Sequence, residues 1–387
     1  MKILVIAGAA ESLVGFRFPL LKEMVARGHE VIALAPDFTA AIIEVMRAHK
    51  IFCERTPLNR TGNSFISDFR YAHSLREKIQ KHAPEAVFAY THKPIVYSIP
   101  IAAEEGVPHR VAFVTGFGYA FIGKGWKRKI VSIILRWLYR RALKSATSLK
   151  FQNPDDAADF QKMGLLPLNL QYQIVGGSGV PLEDYPQISP PKGPLRFLML
   201  SRLLGDKGVR EFAQAARIVR QKFPDAKFVL AGEIDGNPAA ISKSELDSWV
   251  TEGVIEYLGK IKDVRPELAL CSVYVLPSYR EGTPRSVLEA MATGRAIVTT
   301  DAPGCRETVR CAQSQQDRTF KQGDNGYLVT VGSGVSLASA LLELCHNPEL
   351  IIQMGKASRS YVEEKYDVKK VNQSLLYWHS KCVPHGS

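Results

Sequence analysis

Two glutamates eight residues apart, Glu281 and Glu289, stand in the segment YREGTPRSVLEAMATG, residues 279–294. Thr283 suits the N-cap of a helix, Pro284 its first position and Gly294 its end, so the segment predicts a helix over 284–292. The start of a helix presents free backbone N–H groups and a partial positive charge, which suit a diphosphate. Carboxylates on both sides of such a phosphate could each accept hydrogen bonds from a sugar. An ordinary capped helix with one solvated glutamate is the alternative.

A second segment, SRLLGDKG at residues 201–208, supplies the cations that a diphosphate needs. Arg202 can bind a phosphate through two parallel hydrogen bonds, and Lys207 can add a point charge. Two cations and a helix dipole would neutralise a departing diphosphate without a metal ion. No D-x-D segment is present, and Asp155 and Asp156 fall in a loop that starts a helix, so we expect no metal.

These segments lie within an alternation of short apolar runs and helical patterns, which predicts parallel sheets with helices on both faces. In the first half the predicted strands are 2–7, 31–35, 86–90 and 110–115, and the predicted helices 18–27 and 38–49. In the second half the strands are 196–200, 227–231, 254–257, 273–276 and 296–299, and the helices 209–222, 284–292 and the tail 348–379. The sequence predicts an α/β protein with two Rossmann-like domains.

The domain boundary is predicted at the proline-rich stretch 181–194, PLEDYPQISPPKGP. The first domain would span 1–180 and be joined by a C-terminal helix within 367–387, and the second would span 195–366. Because open α/β sheets bind ligands at the carboxyl ends of their strands, two such domains facing each other would enclose a cleft.

Composition fits this organisation: 387 residues suit two domains, and 46% hydrophobic with 23% charged residues is typical of globular proteins. The six cysteines show no C-x-x-C pair, which favours reduced thiols in the cytoplasm. The apolar run at 3–7 is too short for a signal peptide, and no run reaches the ~18 apolar residues of a membrane span. We expect a cytoplasmic protein.

The net charge of +12 is concentrated in residues 121–150, which hold nine lysines and arginines and no acidic residue. Trp126, Trp137 and aliphatic residues are interleaved, so the stretch around 124–144 predicts a basic amphipathic helix suited to an anionic membrane surface. In the alternative, the aliphatic face packs into the first domain and the basic face is solvated. We expect no nucleic acid partner, since no nucleic-acid-binding motif accompanies the helix.

With the Glu281/Glu289 and Arg202/Lys207 pairs in place, the chain resembles the family-4 retaining glycosyltransferases of GT-B architecture over nearly its whole length. Within that family it looks most like bacterial enzymes that extend lipid-linked oligosaccharides, including N-acetylgalactosaminyltransferases. Four segments carry this closer likeness: VTGFG at 114–118, FQNP at 151–154, KGVREF at 207–212 and VLPSY at 275–279.

The resemblance implies donor contacts in the second domain. Glu289 would bind the ribose hydroxyls and Glu281 the hydroxyls of the transferred sugar. Arg202 and Lys207 would hold the diphosphate with backbone amides of Gly282 and Thr283. The base would lie against backbone near Lys260 and Ile261.

In the first domain the resemblance implies acceptor contacts. Many relatives carry a histidine where this chain reads Val114-Thr115-Gly116, so Gly116 instead suggests close backbone approach to the donor. His92 is a candidate for contact with acceptor or phosphate, or a structural residue. The turn from Gly8 to Gly15 would face the phosphates, and Arg17 would meet an acceptor diphosphate or pair with a surface carboxylate.

Together these observations predict a retaining, metal-independent hexosyltransferase without a cofactor. It would move a sugar, an N-acetylhexosamine, from a UDP-sugar to a polyprenyl-diphosphate-linked saccharide at the inner face of the cell membrane. Two alternatives remain: a UDP-sugar epimerase or hydrolase of the same architecture, and a non-catalytic membrane scaffold subunit.

Overall fold

The computed structural model describes residues 1–59, 65–116, 126–234, 239–314 and 318–377, without the side chains of 65 and 126–130. The chain forms two compact units. Unit 1 comprises Met1–Ser178 and Lys369–Ser387, and unit 2 comprises Gly179–Val368.

Unit 1 is built on a seven-stranded, entirely parallel sheet in the order β3-β2-β1-β4-β5-β6-β7. Its strands are β1 (Lys2–Ile6), β2 (Glu30–Ala35), β3 (Ile51–Arg55), β4 (Ala86–Tyr90), β5 (His109–Val114), β6 (Ser148–Phe151) and β7 (Tyr172–Ile174). Its helices are α1 (Ala10–Gly15), α2 (Phe18–Ala26), α3 (Ala40–Ala48), α4 (Phe65–His82), α5 (His92–Glu104), α6 (Trp126–Ser145) and α7 (Pro154–Lys162).

The central strands of this sheet are buried on both faces, as continuous apolar runs require. In β1, Ile3 to Ile6 are all buried, and alternate residues belong to two different core clusters. Strand order reverses at β1, which pairs with β2 on one side and β4 on the other. The carboxyl ends of β1 and β4 therefore form the topological switch point where such sheets bind ligands.

Unit 2 has an eight-stranded sheet in the order β10-β9-β8-β11-β12-β15-β14-β13. Its strands are β8 (Arg196–Leu200), β9 (Lys227–Ala231), β10 (Glu256–Tyr257), β11 (Val273–Leu276), β12 (Ala296–Thr300), β13 (Gln313–Ser314), β14 (Phe320–Gly323) and β15 (Gly326–Val329). Its helices are α8 (Val209–Lys222), α9 (Lys243–Thr251), α10 (Arg265–Leu270), α11 (Arg285–Ala292), α12 (Gly334–His346) and α13 (Pro348–Lys365).

The strands of unit 2 are parallel from β10 to β15, whereas β14 pairs antiparallel with both β13 and β15. The β13-β14-β15 end is thus an antiparallel edge on an otherwise parallel sheet, a common variation. The predicted class of two mainly parallel α/β domains is confirmed.

Several predicted boundaries differ from the observed ones. The predicted strand 254–257 is reduced to β10, because the amides of Val254 and Ile255 instead donate to the Trp249 carbonyl at the end of α9. The tail is two helices, α13 and α14 (Val368–Leu376), interrupted around Asp367. Asp367 forms a parallel bridge with Val180, so the two points where the chain passes between the units are hydrogen-bonded neighbours.

The stretch 181–194 is more structured than an extended linker. It begins with a 3-10 turn, Leu182–Asp184, and the following Tyr185 packs into the core of unit 2 at 9% exposure. Further along, the Ile188 amide donates to the Thr293 carbonyl at 3.1 Å. The stretch is therefore partly folded onto unit 2.

A buried lysine fastens α14 to the sheet of unit 1. Lys150, on β6, is 1% exposed, and its Nζ donates to Gln173 Oε1 at 2.8 Å and to the Ser374 carbonyl at 2.9 Å. A third bond reaches the Tyr377 carbonyl at 3.4 Å. The cation thus satisfies carbonyl groups at the C-terminal end of the helix, where the helix dipole is negative.

Lys150→Met should lower the free energy of unfolding by about 2 kcal/mol, because carbonyl oxygens of α14 lose a charged hydrogen-bond donor inside the protein. Denaturant melts measure the change, and limited proteolysis should release the C-terminal helix faster. Lys369→Met, on the exposed side of the same helix, is the matched control and should behave as the parent. Equal stability of the two variants would contradict this account.

Candidate active site

The turn between β8 and α8 carries the predicted phosphate-binding cations. Leu203 and Leu204 are buried and anchor it, and Leu204 pairs with Ala240 across the adjoining loop. Arg202 lies exposed at its start, and Lys207 closes a 3-10 turn, Gly205–Lys207, directly before α8. Both cations therefore project from one loop at the carboxyl edge of the sheet.

Lys207 and Glu281 form an ion pair at this edge. Lys207 Nζ lies 2.6 Å from Glu281 Oε1, and each side chain is 17% exposed. The same carboxylate oxygen accepts a hydrogen bond from Ser278 Oγ at 2.8 Å. Because β8 and β11 are neighbours in the sheet, the loops that follow them bring these three side chains together.

Backbone contacts hold the loops that follow β8, β11 and β12 close together. The Tyr279 amide donates to the Asp206 carbonyl at 2.8 Å, and the Glu281 amide to the Pro303 carbonyl at 2.9 Å. Gly208 has φ +77° and a Cβ there would lie 2.2 Å from the Pro277 carbonyl oxygen. Gly304, with φ +77°, would place a Cβ 2.2 Å from the Glu281 carbonyl oxygen. Only glycine fits at either position.

The predicted cap of α11 is wrong by one residue. The N-cap is Pro284, with φ −72° and ψ 108°, and the helix begins at Arg285. Proline is acceptable here because its extended backbone leaves the carbonyl free to accept from the Val287 amide, at 3.1 Å, and needs no N–H of its own. Gly282 and Thr283 lie just before the cap, partly exposed, as loop residues preceding the helix start.

Glu289 lies on α11 within a second cluster. Arg285 Nε donates to Glu289 Oε1 at 2.9 Å, and both side chains are mostly buried. Burial raises the pKa of Tyr185. The Glu289 carboxylate raises it further, because it is negatively charged and accepts a hydrogen bond from the tyrosine hydroxyl. Two hydrogen-bond donors therefore hold Glu289. Arg285 lies four residues before it on α11, and Tyr185 directly follows the 3-10 turn Leu182–Asp184.

A polar cavity of about 420 Å³ opens beside Glu289. Asp184 and Tyr185, the segment 262–265 and Glu289 line it. Ile261 packs against the core directly before this segment, and Gly259 precedes it with φ +68°. The predicted base-binding stretch near Lys260 and Ile261 thus leads into the wall of a cavity that also contains the predicted ribose-binding carboxylate.

In unit 1 the predicted residues gather at the switch point. A Cβ on Gly8 would lie 3.0 Å from Thr91 Oγ1, and the hydroxyls of Ser12 and Tyr90 lie 2.8 Å apart. Thr91 has φ +68°, a strained backbone for a β-branched residue and one that functional sites often contain.

Arg17 is buried rather than exposed at the surface. It is 3% exposed, stacks on the ring of Phe113 at 4.5 Å and of Tyr90 at 5.3 Å, and donates to the Gly177 carbonyl at 3.3 Å. The aromatic rings and the carbonyl hold a fixed positive charge beneath the carboxyl ends of β4 and β5.

His92 begins α5 and lies half-buried against α6. Its Nδ1 lies 2.5 Å from the hydroxyl of Tyr139, and burial lowers the pKa of His92 to about 4. Tyr139 is itself fully buried, and its pKa is raised first by burial and then by Asp156. At neutral pH His92 is therefore an uncharged imidazole and can act as a hydrogen-bonding group but not as a cation.

The two remaining predicted residues of unit 1 are glycines. Gly116 follows β5 with φ +132°, at the carboxyl edge of the sheet. Gly15 ends α1 and is exposed, and a Cβ there would have no described neighbour within 4 Å. Both positions leave the backbone open to approach, and their roles stay predictions.

The aliphatic side of α6 is only partly packed. Tyr139, Ala142 and Leu143 are buried, whereas Ile133 and Trp137 are 66% and 58% exposed. Residues 117–125, which include the predicted Lys124, and the side chains of 126–130 lie outside the described part of the chain. The alternative in which the aliphatic face of this helix packs fully into the first domain is therefore wrong for residues 131–145.

Sequence analysis did not single out Ser278, Tyr185 and Arg285. Arg285 precedes Glu289 by four residues, a spacing that pairs side chains on a helix and was visible in the sequence. Tyr185 stands in the stretch taken for a linker, and Ser278 carries no pattern of its own. Only contacts between segments that are distant in sequence identify Tyr185 and Ser278 as part of the site.

Two further observations concern metals and membranes. Among the residues that the structure describes, no three His, Cys, Asp or Glu side chains are grouped to hold a metal ion. Nor does any helix in those ranges have the length and apolar character needed to cross a membrane. Cys53, Cys271, Cys305, Cys311 and Cys345 are free thiols.

Comparison with known proteins relates the chain to one family. Residues 194–347 match the family described as Glycosyl transferases group 1. The chain is 30% identical over 325 residues to the N,N'-diacetylbacillosaminyl-diphospho-undecaprenol alpha-1,3-N-acetylgalactosaminyltransferase of Campylobacter jejuni, covering 80% of this chain and 83% of that protein. It is 26% identical over 323 residues to the UDP-Gal:alpha-D-GlcNAc-diphosphoundecaprenol alpha-1,3-galactosyltransferase of Escherichia coli, covering 79% and 78%.

The fold also matches solved structures. The Anabaena protein HepE, crystallised in complex with UDP and glucose, superposes with a TM-score of 0.74 at 18% identity, covering 97% of this chain and 98% of that one. At that identity the likeness concerns the fold alone.

Stability should fall as the pH drops from about 6.5 to 4, because unfolded His92 binds a proton in this range and folded His92 does not. Above pH 6.5 both states are neutral and the contribution is complete; near pH 4 roughly 3 kcal/mol is lost. Denaturant melts across this range should show a flatter profile for His92→Gln. His73→Gln, an exposed histidine of the same unit, should keep the parental slope, and identical slopes in all three proteins would refute the assignment.

Proposed function

The chain belongs to the group 1 glycosyl transferases, and we propose that it moves an N-acetylhexosamine from a UDP-sugar to a polyprenyl-diphosphate-linked saccharide. The transfer retains the anomeric configuration and serves the assembly of a surface polysaccharide or glycan. The two curated relatives described above act on diphospho-undecaprenol-linked sugars, which supports this acceptor class.

The observation that carries the proposal is the Lys207–Glu281 pair beside the start of α11. The pair is electrically neutral, so Lys207 alone does not neutralise a diphosphate. Arg202 on the same turn and the positive end of the α11 dipole supply the additional positive potential. Glu281 meanwhile presents a carboxylate that can accept hydrogen bonds from sugar hydroxyls next to the phosphate.

Chemistry in this arrangement depends on stabilising the leaving diphosphate. The bond between the anomeric carbon and the phosphate oxygen breaks as Arg202 and Lys207 receive the developing charge. The acceptor hydroxyl attacks the same face and passes its proton to the departing phosphate oxygen. We propose that the reaction needs no metal ion, because Arg202 and Lys207 would supply the positive charge at the departing diphosphate.

The nucleoside is assigned to the cavity beside Glu289. Two donors already orient that carboxylate, Arg285 and Tyr185, so it is preset to accept hydrogen bonds from the ribose hydroxyls. The segment around Ile261 would contact the base through its backbone.

The acceptor is assigned to the switch point of unit 1. Arg17 provides a fixed charge there and His92 a neutral hydrogen-bonding group, while Gly15 leaves space for the acceptor and Gly116 would let the backbone approach the donor. The protein would meet its lipid-linked acceptor as a peripheral protein on the inner face of the cell membrane. Exposed Ile133 and Trp137 on the basic helix α6 support such contact.

Glu281→Ala and Arg202→Ala should each lower kcat at least a hundredfold, because one loses the sugar-binding carboxylate and the other a cation on the leaving group. A donor screen by mass spectrometry, with membrane extract as acceptor, identifies the substrate, and steady-state rates then compare the variants. Glu252→Gln breaks an exposed ion pair of the same unit and should retain the parental rate.

Near-normal rates in both alanine variants would refute the site. Turnover of UDP-sugar at the same rate with and without acceptor would indicate an epimerase or hydrolase instead. Absence of UDP binding by calorimetry would favour a scaffold subunit.

Membrane contact is tested with vesicles. Lys144→Gln should weaken binding to vesicles containing phosphatidylglycerol about fivefold, since each cation near an anionic surface contributes about 1 kcal/mol. Trp137→Ser should weaken binding to anionic and neutral vesicles alike, because it removes apolar contact. Co-sedimentation measures both effects.

Lys222→Gln, on an exposed position of α8 in unit 2, serves as the matched control and should bind as the parent does. If Lys144→Gln and Lys222→Gln bound vesicles equally well, the assignment of α6 to the membrane would be wrong.

A further inference from the structure

A groove of about 450 Å³ runs over the surface of unit 1 between α4, α5 and α6. Val96, Tyr97, Pro100 and Ile101 of α5 form its floor. Its size is within the range of pockets that bind small ligands, and its floor is mainly apolar. The residues assigned above to donor or acceptor sugar binding all lie outside its lining.

The first wall is a single stripe of α4. Phe69, Ala72, His73 and Arg76 line the groove, at the spacing i, i+3, i+4, i+7 that places side chains on one helix face. Phe69 is 75% exposed, and Ile66, one turn earlier, is 68% exposed. The apolar part of this stripe is therefore uncovered.

The second wall is a matching stripe of α6. Leu138 and Arg141 line the groove, and Ile134 and Trp137 share their helix face by the same spacing. Ile134 is 40% exposed and Trp137 58% exposed. Large apolar side chains thus stand along both rims, which is more than the scattered single exposures normal for a protein surface.

The α6 side of the groove is net positive, whereas the cations at its two ends are paired with carboxylates. Residues 131–145 of α6 carry four cations, Arg136, Arg140, Arg141 and Lys144, and no acid. One end of the groove reaches Asp68, which pairs with Lys93 at 2.7 Å. The other is bounded by Arg76 and Arg141, which share Glu104.

Lys93 relates the groove to the switch point. It is the second residue of α5, directly after His92, at the carboxyl edge of the sheet. A chain lying on the floor of the groove would therefore start beside the residues assigned to the acceptor and run along α5 away from them.

We propose that this groove binds the first part of the isoprenoid chain of the lipid-linked acceptor, with the diphosphate at the Lys93 end. The inference rests on the proposed function for the identity of the ligand. A hydrocarbon chain suits the walls because they are helix faces whose backbone groups are already paired internally. An extended peptide laid in the same groove would leave its own backbone groups without hydrogen-bond partners.

Titration calorimetry with farnesyl diphosphate and with inorganic diphosphate tests the assignment without any sugar transfer. The parent should bind farnesyl diphosphate at least about tenfold more tightly, because burial of a few apolar carbons contributes that much. Ala72→Trp fills the groove and should reduce the ratio to near one. Phe69→Ser, a change at an exposed position that the fold does not require, should reduce it several-fold.

Phe52→Ser is the matched control, since Phe52 is 61% exposed on the edge strand β3 of the same unit. It should retain the parental ratio. Equal affinity of the parent for both ligands, or a parental ratio in Ala72→Trp and Phe69→Ser, would overturn the proposal. Displacement of farnesyl diphosphate by short-chain phosphatidylglycerol at equal concentration would assign the groove to a membrane lipid and also overturn it.

The outcome is separable from that of the enzyme proposal. Failure of sugar transfer with intact, groove-dependent binding of farnesyl diphosphate would count against the transferase assignment alone. Intact transfer to a short, soluble acceptor with no preference for farnesyl diphosphate would count against the groove alone.

Discussion

The pairing of Lys207 with Glu281 is the constraint on which the catalytic side of this molecule depends. The two residues are 74 positions apart and meet only because β8 and β11 are adjacent and parallel, so that their following loops leave the same edge. Gly208 lets the turn after β8 approach Pro277, and Gly304 lets the loop after β12 approach the backbone of Glu281. An ion pair with 17% exposure on each side costs desolvation, and the proposed binding of both a phosphate and a sugar at this site would be a reason to retain it.

The carboxyl edge of the sheet in unit 1 carries a cation and an uncharged imidazole rather than an ion pair. Arg17 is buried and His92 half-buried, but one keeps its charge between aromatic rings while the other is neutral. The cation is thereby immobile, and the imidazole can donate or accept without attracting counterions. Thr91, directly before His92, has a backbone conformation that β-branched residues rarely adopt.

Sequence alone predicted the parts that depend on local rules. Buried parallel strands, the α11 segment and the glycine-ended turn before α8 follow from short patterns, and all are present. The exact cap did not, because Pro284 is compatible with both the N-cap and the first helical position, and only the observed ψ of 108° decides between them.

Contacts between distant segments were beyond the sequence. Tyr185 contacts Glu289 from a proline-rich stretch, and no local pattern in that stretch predicts that the tyrosine is buried. The burial of Arg17 was equally invisible, since an arginine after a glycine-rich turn has the same local pattern whether it faces water or two aromatic rings. Pairing distances such as that between Lys207 and Glu281 require the sheet order, which local patterns do not fix.

In the proposed mode of acceptor binding, helix α5 would contact both the polar head and the apolar chain of the acceptor. Its thirteen residues span about 20 Å, with His92 and Lys93 at the carboxyl edge and Pro100 and Ile101 at the far end of the groove floor. A polar head and an apolar chain would therefore be measured against the same helix, so that binding of the chain sets where the head lies. The exposed apolar rims of α4 and α6 are then an expected cost, because a groove that admits a hydrocarbon chain from a bilayer must present apolar side chains before the chain enters.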